Sequence, residues 1–267
     1  MVAIKQIEFH ITHVCNLQCD GCAHYCNYGV KGSVPFSEGE DWLRGWSKRV
    51  NPERFKILGG EPSLHAELLN YVNLVAELWP ATRRTLTTNG YFLDRHPKLP
   101  AVLHETGTRL YITIHSNEPS YLKKIVPIAR LWSRMSREKD FICEIGSAQY
   151  VWYKSYKGFK DTMIPFTDNN PRASWEVCIS KYCSQLHKNR LWKCPCLAYL
   201  DTIADRCKLK DRGEWAPFLA YNGIGLEASD EELKTFISME EEAFCRMCPS
   251  RLVKIEKSIH EPLSTIC

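Results

Sequence analysis

Three cysteines stand at 15, 19 and 22, in the run Cys15-Asn-Leu-Gln-Cys19-Asp-Gly-Cys22. Three thiolates this close can ligate three irons of one [4Fe–4S] cube, which leaves the fourth iron without a protein ligand. An open coordination position is what makes a metal centre reactive, as in catalytic zinc sites that keep a place for water. Cys26 follows closely, and a fourth thiolate would instead close the set into a structural zinc knuckle. The triplet alone leaves both chemistries open. His10 and His13 flank the loop and read as structural hydrogen-bonders. A second group comprises Cys178, Cys183, Cys194 and Cys196, followed far downstream by the CxxC pair Cys245-Arg-Met-Cys248. Such a set suits iron–sulfur or zinc. Cys143, Cys207 and Cys267 have no partner pattern and read as small core residues.

The elements around these residues indicate how they are positioned. Residues 5–12 alternate as a strand that runs into the first cysteine loop, and 38–50 carry a helical period. FKIL at 55–58 is a short buried strand closed by Gly59-Gly60, and 65–79 form a helix stopped by Pro80. Strands follow at 84–88, 109–115 and 141–147, with a helix over 119–135. Strand–helix alternation at this spacing predicts a parallel sheet with helical crossovers. The pattern loosens near residue 150, which predicts a domain at 1–150 and a cysteine-rich region at 151–267.

The chain has 267 residues, 44% hydrophobic and 25% charged, with a net charge of +4. Mean hydropathy is -0.33, and no apolar run approaches the ~20 residues of a membrane helix. These values exclude membrane, collagen-like and disordered classes. Thirteen cysteines cannot all pair. The N-terminal segment lacks the pattern of a secretory signal, so a reducing cytoplasmic location is expected, where clustered cysteines read as metal or redox ligands.

On the triplet together with Gly59-Gly60-Glu61-Pro62 and Thr87-Thr88-Asn89-Gly90, the sequence resembles the radical S-adenosylmethionine (SAM) superfamily over roughly residues 5–150. The resemblance implies a partial (β/α)6 TIM-like barrel of class α/β. It implies that Cys15, Cys19 and Cys22 hold a [4Fe–4S] cluster. SAM would lie against Gly59, Gly60, Glu61, Thr88, Asn89 and Ser116. Gly59 and Gly60 would allow close backbone approach to the methionine amino group, with Glu61 supplying charge near that ammonium. Reductive cleavage of SAM would give a 5′-deoxyadenosyl radical that abstracts hydrogen from substrate. The family usually carries an aromatic residue just before the third cysteine. Gly21 stands there in this chain, so the adenine packs elsewhere or against His24 or Tyr25.

Residues 178–196 place a hairpin turn at Lys188-Asn189 between cysteines. Cysteine, hairpin, cysteine and a distant CxxC resemble the SPASM/twitch extension, and the short twitch form fits better. That resemblance implies an auxiliary [4Fe–4S] cluster on Cys183, Cys194, Cys245 and Cys248, with Cys178 and Cys196 as alternatives. Such a cluster would transfer electrons or support the fold.

The substrate expected from these features is a small molecule or a peptide side chain that undergoes dehydrogenation, epimerisation or rearrangement. An external electron donor such as flavodoxin or ferredoxin is implied. A second reading is modification of a nucleobase in a nucleotide or nucleic acid. Its motivation is residues 120–215, which carry 18 Lys+Arg against 10 Asp+Glu beside many aromatics. The bland account of that stretch is a solvated basic helix face over a core of aromatics. A third reading is a non-catalytic iron–sulfur or zinc protein. No general base is identifiable.

Overall fold

The computed structural model describes residues 1–147, 152–255 and 259–260. The expected boundary at residue 150 and Cys267 lie outside the described residues. Strands β1 (Val2–His10), β2 (Val50–Leu58), β3 (Arg83–Thr88), β4 (Arg109–Ile114) and β5 (Cys143–Ser147) form successive parallel pairs. Helices α1 (Phe36–Ser47), α2 (Leu68–Leu78), α3 (Leu99–Thr106) and α4 (Pro119–Glu138) are the crossovers between them.

Strand β6 (Ser184–His187) lies parallel to β1 on its other side, so six parallel strands run in the order β6-β1-β2-β3-β4-β5. Strands β7 (Arg190–Trp192) and β8 (Ile224–Gly225) continue the sheet antiparallel, which makes eight strands in one open, unclosed sheet. The architecture is α/β, a partial barrel. Because β6 comes from the cysteine-rich region, that region extends the barrel's own sheet.

The second half of β1 is buried on both faces because it sits at the centre of this sheet. Val50 is fully buried as the first residue of β2, so α1 ends at Ser47 instead of running to 50. The sequence reading did not foresee α3. It is short, has Pro100 in its first turn, and stops at Gly107 in the left-handed region at φ 63°.

One core lies under the barrel strands, around Ile7, Phe9, Trp46, Phe55, Tyr71 and Leu110. A second is centred on Tyr199 and Trp215 and takes in Tyr25 and Tyr28 from the segment just after the cysteine triplet. Among the described residues no helix is long and apolar enough to cross a membrane.

The β6–β7 hairpin turns at Lys188 and Asn189, with φ of 50° and 57°. Positive φ at both central residues is the geometry of a two-residue hairpin turn, which favours Asn and Gly. The Asn189 carbonyl also accepts from Trp46 Nε1 at 3.3 Å, which fastens the turn to α1. Asn189→Val should lower stability by roughly 1–2 kcal/mol, because a branched side chain resists this conformation. Asn189→Gly should match the native protein. Thermal unfolding of the two variants checks this.

Candidate active site

The carboxyl ends of β1 to β4 converge on one face, where parallel α/β folds place their sites. A cavity of about 240 Å³ opens there, lined by Cys15, Cys19 and Cys22, by Gly59 and Gly60 after β2, and by Thr88 and Asn89 at the end of β3. The structure therefore gathers these seven expected residues around one space.

The two glycines are required by the cluster loop itself. A Cβ on Gly60 would stand 2.4 Å from the Val14 carbonyl oxygen, and one on Gly59 would stand 2.8 Å from that of Thr12. The loop is held in that position because Gly60 N donates to Thr12 O at 2.7 Å and Glu61 N to Val14 O at 2.8 Å.

Glu61 is fully buried and does not line the cavity. Its Oε1 accepts from Ser63 N at 3.0 Å, Ser63 Oγ at 2.5 Å and Thr88 Oγ1 at 2.5 Å, while Oε2 accepts from Asn89 N at 2.7 Å. The carboxylate thus ties the loop after β2 to the loop after β3, and both oxygens are already engaged. Burial raises its pKa, against the pull of these hydrogen bonds. Asn89 Nδ2 in turn donates to Asn16 Oδ1, inside the cluster loop, at 2.8 Å.

Ser116 is buried, and its hydroxyl accepts from Glu118 N at 3.0 Å at the start of α4. The adjacent His115 faces the cavity instead, with Nδ1 3.7 Å from Cys19 Sγ. Of the two aromatics weighed in place of Gly21, His24 lines the cavity. Tyr25 turns away into the second core, and its hydroxyl donates to the Cys196 carbonyl at 3.0 Å.

Burial pushes the Cys15 thiol up. Cys22 is held below the usual thiol range, first because the Cys26 thiol donates to it and further because His24 stands beside it, against the effect of burial.

In the second group, Cys178, Cys194, Cys245 and Cys248 line one cavity of about 80 Å³. Cys196 lies beside Cys194, which donates a hydrogen bond to it, and within electrostatic reach of Cys22 and His24. Cys183 stands apart from that cavity, and its sulfur accepts from Gln6 Nε2 at 3.5 Å. Burial pushes Cys178 up to about 11 and raises Cys245 and Cys248. Four half-buried thiols that resist ionising alone are a donor set that a metal cation would ionise. Cys207 is fully buried in the second core, and Cys143 is partly buried against the first.

Residues 9–135 match the family model described as the Radical SAM superfamily. A GTP 3′,8-cyclase of Aquifex aeolicus (strain VF5) is 27% identical over 170 residues, 60% of this chain and 51% of that protein. Another, from Microcystis aeruginosa (strain NIES-843 / IAM M-2473), is 39% identical over 74 residues, 27% of this chain and 22% of that protein. The chain thus spans about half or less of the length of these relatives. Among solved structures, BtrN in complex with AdoMet and 2-DOIA aligns with a TM-score of 0.54 at 15% identity, covering 94% of this chain and 98% of that one. That likeness is one of fold.

Glu61→Gln places an amide NH2 against donors that the carboxylate now accepts. The mismatch should cost about 1–3 kcal/mol. Amide hydrogen exchange at Asn89 and Ser63 should accelerate at least about tenfold while distant strands are unchanged.

Proposed function

We propose that this chain, whose residues 9–135 match the Radical SAM superfamily model, cleaves SAM reductively to generate a radical that takes a hydrogen atom from a small-molecule substrate. The observation that carries this reading is the single cavity shared by Cys15, Cys19, Cys22, Gly59, Gly60, Thr88 and Asn89. When bound, a [4Fe–4S] cluster supplies the electron that splits SAM into methionine and a 5′-deoxyadenosyl radical.

Cys15, Cys19 and Cys22 would hold that cluster, and the His115 ring beside Cys19 would orient that sulfur. The Gly59–Gly60 backbone and the Thr88–Asn89 turn would bind the methionine end of SAM. Glu61 acts at one remove, as a positioning residue that fixes both loops. Ser116 keeps the turn before α4 in place, and His115 is the residue of that pair that meets the ligand.

Cys178, Cys194, Cys245 and Cys248 would hold the auxiliary [4Fe–4S] cluster, with Cys178, the alternative to Cys183, as the fourth ligand. With four thiolate ligands no iron is left to bind substrate, so its role is to exchange electrons or to support the fold. The reductant would be an external flavodoxin- or ferredoxin-like donor. The free thiols among the described residues fit a reducing cytoplasm.

A separate cavity of about 180 Å³ lies between the loop residues Asp20–Ala23 and the segment Tyr153–Tyr156, next to Cys22. Its size and its mixed aromatic and polar walls support a small molecule as substrate. One observation favours a nucleotide as that molecule, namely the similarity to GTP 3′,8-cyclases. Much of the basic, aromatic stretch is occupied internally. Trp132 is buried, Arg134 stands 3.8 Å from Glu138, and the Trp175 ring has Arg172 and Lys181 over it.

The test is anaerobic reconstitution with iron and sulfide, then incubation with SAM and dithionite. The native protein should form 5′-deoxyadenosine, and Cys19→Ala should form none while keeping its circular dichroism. Native-level product in that variant would refute the assignment. Cys245→Ala with Cys248→Ala should lose about four irons and still cleave SAM.

A further inference from the structure

Beside the cluster loop, where His24 and Cys26 also line the cavity of the triplet, the structure packs four histidines into one space. The rings of His10 and His13 lie 4.5 Å apart between centroids, those of His10 and His24 4.8 Å, and those of His13 and His187 5.9 Å. The Cys26 sulfur faces this group, 3.9 Å from His10 Nε2.

Buried imidazoles in a protein interior normally find partners for both ring nitrogens. Here His13 Nδ1, His24 Nε2 and His187 Nε2 are buried and make no hydrogen bond. His10 Nδ1 also lacks one, although the ring lies close to the Gly59 carbonyl. A purely structural role leaves the buried Nδ1 of His13 unsatisfied.

One ligand atom from each of His10, His13 and Cys26 falls within 4.8 Å of the others. Two imidazoles and a thiolate suit zinc, which accepts nitrogen and sulfur ligands in a tetrahedral site. On tetrahedral zinc, a sulfur at 2.3 Å and a nitrogen at 2.0–2.1 Å stand about 3.6 Å apart. The Cys26–His10 separation needs only a few tenths of an ångström of closure to reach that value.

We propose that His10, His13 and Cys26 bind a mononuclear zinc ion, separate from the iron–sulfur centres. The ion would join the chain just before Cys15 to the chain just after Cys22, and so pin both ends of the loop that carries the triplet. Three protein ligands leave its fourth position to water or to His24, the histidine nearest His10 after His13. The proposal is independent of the substrate and of the reaction outcome.

Zinc and iron are counted by mass spectrometry on the reconstituted full-length protein after exposure to zinc and desalting, together with zinc K-edge absorption. The native protein should hold one zinc per chain in a shell of two nitrogens and one sulfur, plus a light fourth atom. Cys26→Ser and His13→Ala should lose the zinc and keep their iron. A triple variant of Cys15, Cys19 and Cys22 to Ala should lose iron and keep the zinc.

Three results would overturn the site: no zinc in the native protein, an all-sulfur shell, or zinc that disappears with the triplet. Iron loss in Cys26→Ser with zinc unaffected would instead assign Cys26 to the cluster. If the single variants fail to fold, the absorption shell of the native protein still decides the matter.

Discussion

A buried carboxylate with four donors and no cation holds the working end of this barrel together. Glu61 reaches from the end of β2 to the end of β3 and accepts from Ser63, Thr88 and Asn89. The same loop donates Gly60 N and Glu61 N to the carbonyls of Thr12 and Val14. Strand ends that would otherwise move independently are thus tied to one another and to the segment carrying Cys15. Charge-assisted hydrogen bonds are short and strong, and a buried carboxylate without them would be costly. The cavity holding the triplet is lined by the loops that this arrangement joins.

The residues that line the central cavity were legible from the sequence where chain neighbours determine geometry. The triplet, the Gly59-Gly60 turn and the Thr88-Asn89 turn each sit at a strand end, and strand ends follow from hydrophobic period. The hairpin at Lys188-Asn189 was legible for the same local reason. Roles set by contacts distant in sequence were not. Glu61 reads as a charge for a ligand until its four donors are seen. The glycines read as room for a ligand, whereas the backbone of Thr12–Val14 fills that room. Cys183 and Cys178 cannot be separated by spacing, because the choice depends on a sulfur being drawn towards Gln6 on β1. The pairing of β6 with β1 joins residues more than 170 positions apart, and no periodicity encodes such a partner.

The cysteine-rich region is more than an appendage to the barrel. Its strand β6 completes the parallel sheet beside β1, and Gln185 on that strand donates to Glu8 Oε2 inside the barrel at 2.7 Å. Its aromatic core takes in Tyr25 and Tyr28, which follow directly on Cys22. Tyr28 Oη donates to Tyr156 Oη at 2.9 Å, and Arg206 donates to the Tyr28 carbonyl. The segment leaving the triplet is therefore packed by the second region, while the segment entering it is packed by the barrel.

This division has a consequence for the loop. The twelve residues 14–25, which carry three thiols, would lose much entropy on being fixed, and their backbone amides are partly engaged with their own sulfurs, as in Leu17 N to Cys15 Sγ at 3.4 Å. Order comes from the ties to Val14 and Asn16 and from the loop's two flanks. On one flank His10 and His13 continue β1; on the other Cys26 opens the turn that buries Tyr25 and Tyr28. Those flanks meet at the histidine cluster, where unpartnered ring nitrogens and a thiol face one another. The two halves of the molecule are thus joined at the sheet, at the aromatic core and at this polar point beside the loop. Ring nitrogens of His10, His13, His24 and His187 are left without hydrogen bonds at that point, so a ligand acting there would restrain both flanks at once.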